Sequence, residues 1–105
     1  MFITYDLKSL DINNREFYRT QIMDSVTRLK ALGIEAVEEA VEHLEVIRDT
    51  RYRLANEELQ AVYHVLLLMV ESGTDVAEVY DLSRPQLVYG AGLLSAVVDC
   101  VSLEL

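Results

Sequence analysis

Between residues 31 and 50 the chain carries six acids, Glu35, Glu38, Glu39, Glu42, Glu45 and Asp49, against one base, Arg48. Carboxylates at this density can hold a hard divalent cation or dock on a basic surface. Their recurrence every three or four residues is the spacing of one helix face. At ~100° per residue all six fall within an arc of roughly 120°. Val37, Ala40, Val41, Leu44 and Ile47 occupy the other side, so the acids form a stripe toward solvent. Like charges one turn apart destabilise a helix by about a few tenths of a kcal/mol per pair. Glu35–Glu39, Glu38–Glu42 and Glu45–Asp49 all incur that cost. A typical surface helix interleaves lysines, yet none lies between Ile34 and Ile47.

Cation chemistry needs further ligands. All-α nucleotide pyrophosphatases hold Mg²⁺ with Glu-x-x-Glu on one helix and Glu-x-x-Asp on the next, and Glu35/Glu38, Glu39/Glu42 and Glu42/Glu45 have the first spacing. The second pattern breaks at Ala61, three residues after Glu58, and is met by Glu78/Asp81 on a separate short segment. A magnesium-dependent nucleotide hydrolase of that kind is therefore the alternative rather than the first expectation. Glu39 and His43 can form a ligand pair, but the Glu-x-x-His spacing of di-iron bundles does not occur. No metal site and no cofactor are expected. His64, inside an apolar run, reads as a buried, hydrogen-bonded histidine. Cys100, in an apolar stretch beside Asp99, reads as an unreactive thiol. Neither a Gly-x-Ser-x-Gly nor a Gly-x-x-x-x-Gly-Lys sequence is present, and no catalytic residue is assigned.

Across all 105 residues, 51% are hydrophobic and 26% charged, which suits one globular domain with one core. Nine bases against 18 acids give a net charge of −9. That excludes a general grip on nucleic acid or an anionic membrane, both of which need a basic footprint. The first thirty residues are near neutral, with five bases and four acids, whereas residues 54–105 hold eight acids and one base. Arg48, Arg51 and Arg53 flank Tyr52 and are expected to complement the end of the second helix and to pair with Glu57 or Glu58. Tyr63 is expected in the core, and Tyr52, Tyr80 and Tyr89 near a contact surface. Residues 1–10 lack the features of a signal peptide, and the apolar run Ala61–Val70 is too short to span a bilayer, so a cytoplasmic location is expected.

The elements that must position the acids read as an all-α single domain, 1–105, a bundle of four to five helices. Phe2, Ile3, Tyr5, Leu7 and Leu10 alternate with polar residues and suggest a short extended arm over 1–12. Helices are expected at about 14–32, 34–50, 56–72, 74–82 and 84–101. The first carries Tyr18, Ile22, Val26 and Leu29, widened by Phe17, Met23 and Leu32, and stops at Gly33. The third is apolar on every side from Val65 to Val70 and should lie at the centre. Ser83-Arg84-Pro85-Gln86 has the pattern of a capping box. The last helix carries Leu87, Leu94, Val97, Val98 and Val101 inward, with a small-residue patch of Gly90, Gly92, Ser95 and Ala96 for close packing, within the chain or in a homodimer.

On these grounds the chain is expected to bind a basic, nucleic-acid-handling protein through the acidic helix, without contacting nucleic acid or membrane itself. Phage-encoded inhibitors of defence systems and immunity proteins against nuclease toxins use small acidic proteins in this way. Glu38, Glu42 and Glu45 are central to the expected contact, with Glu35, Glu39 and Asp49 at its rim. A homo-oligomeric structural subunit joined through the Gly90–Ala96 patch is the third expectation.

Overall fold

The computed structural model describes residues 7–51, 57–77 and 79–104, with side chains over 15–49, 57–77 and 79–103. Four helices follow one another: α1 (Leu7–Leu32), α2 (Ile34–Arg51), α3 (Glu57–Ser72) and α4 (Arg84–Glu104). They pack as an all-α bundle around one core, and no strand occurs among the described residues. Ile22, Val26 and Leu29 of α1, Ala36, Ala40 and Leu44 of α2, and Leu87, Leu94, Val98 and Val101 of α4 share one core with α3, and α1 packs most extensively on α4. Two expected core residues of α1, Phe17 and Leu32, lie instead on its outer side, 57% and 46% exposed. They sit away from the Ile22–Val26–Leu29 line, which alone is broad enough to cover the core.

α3 supplies six buried side chains, Val62, Tyr63, Val65, Leu66, Met69 and Val70. It is not fully enclosed, contrary to expectation. Leu67 and Leu68 are half-buried, and His64 and Glu71 are exposed, because four helices leave one side of each in water. Tyr63 is fully buried and satisfies its hydroxyl on the Tyr89 hydroxyl of α4, 2.8 Å away.

The helix ends follow the turn chemistry of the sequence. Gly33 is the whole link between α1 and α2. Its N–H donates to the Lys30 carbonyl at 3.2 Å, its own carbonyl accepts from Val37 N–H at 3.3 Å, and its φ is 114°. Gly73 ends α3 with φ 73°, and its N–H donates to the Met69 carbonyl at 2.7 Å. At the start of α4 the expected capping box forms: Ser83 N–H donates to Gln86 Oε1 at 2.7 Å and Gln86 N–H to Ser83 Oγ at 3.3 Å. Gln86 Nε2 also donates to the Glu58 carbonyl at 2.9 Å, tying the start of α4 to the first turn of α3.

Two expected elements are different. The extended arm over 1–12 is helical from Leu7 onward. Leu7 and Leu10, read as alternating strand positions, are also one helical turn apart, and a helix satisfies its own backbone where a lone strand cannot. Residues 1–6 lie outside the described residues. The short helix expected at 74–82 is a series of turns, with Asp81 at φ 50°. Ala77 and Leu82 are both buried; on a helix they would point ~140° apart, so turns let both enter the core.

That connector is held from α1. Arg19 donates from Nε and Nη2 to Asp75 Oδ2, at 3.2 and 2.8 Å, while Asp75 Oδ1 accepts from Ala77 N–H at 3.0 Å. Arg15 Nη2 donates to the Leu82 carbonyl at 3.0 Å. These arginines are one turn apart on α1 and meet the segment near its two ends.

α4 over Arg84–Leu103 is long and apolar enough, by length and composition, to cross a membrane. The expectation weighed only the shorter run Ala61–Val70; α4 is the longer apolar segment, although its outer face carries Ser95, Asp99 and Ser102. Core helices share this property, and the inward residues of α4 are buried in the bundle.

Gly33→Ala should lower stability by about 1–2 kcal/mol, from backbone strain alone, since nothing lies within 4 Å of the added Cβ. Thermal unfolding checks this, and an unchanged midpoint would contradict it. Asp75→Ala should cost about 1–2 kcal/mol and raise amide exchange in the connector before α2 or α3; uniform exchange across the bundle would show that the clamp is not local.

Candidate protein-binding face on the second helix

The register of α2 is set by what it buries. Ala36, Ala40 and Leu44 are fully buried at intervals of four, and Val37, Val41 and Ile47 are half-buried beside them. Ala36 was not among the expected inward residues, and its burial turns the helix slightly toward that edge. Two alanines let the α2 backbone approach the bundle closely, and the acids are left outward. Glu35, Glu38, Glu42, Glu45 and Asp49 are exposed, and Glu39 is half-buried. All six expected site residues therefore share one surface.

Their electrostatic surroundings divide them. Asp49 accepts from Arg48 Nε at 3.0 Å, and Glu39 lies 4.0 Å from His43 Nε2. Arg48, expected to pair with Glu57 or Glu58, is half-buried and bonds its neighbour Asp49. Arg51, Tyr52 and Arg53 lie outside the described side chains. Glu35, Glu38, Glu42 and Glu45 have no hydrogen-bond or ion-pair partner among the described residues. Four mutually repelling carboxylates thus stand in water with no cation beside them among the described residues.

The sequence pattern did not single out two apolar residues in this face. Ile34 is 76% and Val46 59% exposed, the first just before the acids and the second among them, between Glu45 and Asp49. Glu39, Glu42, His43 and Val46 line a shallow groove of about 340 Å³. Carboxylates beside an apolar side chain can take a lysine or arginine: the stem lies over the hydrocarbon and the cation meets the acid. The helical spacing of Val46 from Glu42 and Glu39 was the available signal.

The remaining candidates separate from this face. Gly90 is buried, and a Cβ there would stand 3.3 Å from Val62 Cγ1 and 3.6 Å from Leu66 Cδ2, so this glycine permits the close approach of α4 to α3. Gly92, Ser95 and Ala96 point outward, with nothing within 4 Å of a Cβ at Gly92. The expected patch is two surfaces: one inside the chain, one facing solvent. His64, expected to be buried, is exposed and edge-on to Tyr80, with ring centroids 5.6 Å apart. Cys100 is exposed as well. Tyr80 is 47% exposed, while Tyr89 is half-buried through its bond to Tyr63.

For a magnesium site the three Glu-x-x-Glu pairs would need partners from a neighbouring helix. Asp81 instead lies on a turn 3.5 Å from Arg15, and Glu78 lies outside the described residues. Among the described residues no group of three His, Cys, Asp or Glu side chains is placed to share a cation. The chain matches no family model, no curated protein and no solved structure, so its function is argued from this geometry.

Replacing Glu38, Glu42 and Glu45 together by glutamine should leave the helix content unchanged and hold or raise the melting temperature. Relief of repulsion predicts a larger gain at low salt than at high salt. A marked loss of stability would mean that these carboxylates have structural partners.

Proposed function

We propose that this chain is a protein-binding module that docks the carboxylate face of α2 on a basic surface of a nucleic-acid-handling protein, as an inhibitor or nucleic-acid mimic. The observation that supports it is the row of six acids with Arg48 as the one lysine or arginine among them and, for Glu35, Glu38, Glu42 and Glu45, no partner among the described residues. The row extends over roughly 21 Å of helix axis at 1.5 Å per residue. Its charge density, about one per 4 Å, is close to the roughly one per 3.4 Å along each strand of a duplex. A groove of lysines and arginines built for phosphates would meet this face with matched sign and similar spacing. Such a contact would form quickly and weaken with salt. The lone thiol fits a cytoplasmic setting.

The experiment is affinity capture from cell lysate at low salt, with nuclease present, using the wild type beside E38Q/E42Q/E45Q. Retention of a nucleic-acid-binding protein by the wild type is expected, with its loss from the variant and its displacement by added duplex DNA or RNA. Equal recovery on both baits would overturn the proposal.

A second reading makes the chain a homo-oligomeric subunit. It is supported by Gly92, a mid-helix glycine on the outer face of α4 with nothing among the described residues within 4 Å of an added Cβ, four residues before Ala96. Such small residues at that interval let two helices cross closely. In a monomer Gly92→Ala should stabilise by about 0.5–1 kcal/mol. In an oligomer joined there Gly92→Leu should shift sedimentation toward the monomer. An unchanged sedimentation coefficient for the leucine variant would remove this second reading.

A further inference from the structure

We draw no further inference here: the strongest candidate, the cleft of about 500 Å³ between α1 and the start of α4 lined by Arg15, Ser83 and Arg84, is a helix N-terminus where Gln86 N–H is already capped by Ser83 and Arg15 is engaged by the Leu82 carbonyl and Asp81, and no second observation among the described residues points to a ligand.

Discussion

Burial of Ala36, Ala40 and Leu44 against the bundle is the constraint from which the character of the surface follows. These side chains share one edge of α2 and are fully buried. They fix the rotation of the helix about its axis, and with it the direction of every acid. Turning α2 by one residue, ~100°, would drive carboxylates such as Glu39 toward a core of valines and leucines. An unpaired ionised carboxylate there would cost several kcal/mol or more. The acidic face is thus held outward by the apolar face, although repulsion among its own members works against the helix.

The other contacts keep that arrangement in place. A one-residue link at Gly33 joins α2 to α1, since a positive φ there turns the chain without a loop. Gly90 lets α4 approach α3, and the Tyr63–Tyr89 hydroxyl pair satisfies the largest buried polar side chain of the core. Arg15 and Arg19 secure the connector, so that Ala77 and Leu82 cover one end of the core. Two arginines of α1, Arg15 and Arg19, are used internally, whereas much of the negative charge on α2 is left to solvent. That asymmetry is the physical basis for assigning contact with a partner to α2.

Much of this was legible in the sequence where local chemistry decides the outcome. The spacing of acids and apolar residues in α2, the glycine stops at Gly33 and Gly73, and the Ser83–Gln86 cap all act within a few residues of themselves. Features set by distant residues were not legible. Asp75 reads as a helix start until Arg19, 56 residues away, is placed beside it. His64 reads as buried from its apolar neighbours, but which side of α3 faces water depends on where the other three helices lie. Leu7 and Leu10, three residues apart, share a helix face but not a strand face, a signal hidden by the alternation of Ile3, Tyr5 and Leu7 before them. The outward direction of Gly92 and the inward direction of Gly90, two residues apart on one helix, follow from ~200° of rotation that composition alone conceals.

The central claim is that placement of the acids, not the net charge of −9, creates the binding face. A charge-matched variant separates the two. E38Q/E42Q/E45Q would be combined with three new acids on the exposed side of α1, T20E, Q21E and A31E, which restores the total charge. Affinity of the captured partner would then be measured for wild type and variant at two salt concentrations. The account predicts that the relocated acids fail to restore binding and that the wild-type affinity falls steeply with salt. Equal affinity for the two proteins would contradict it and leave the stripe as ordinary solvated surface.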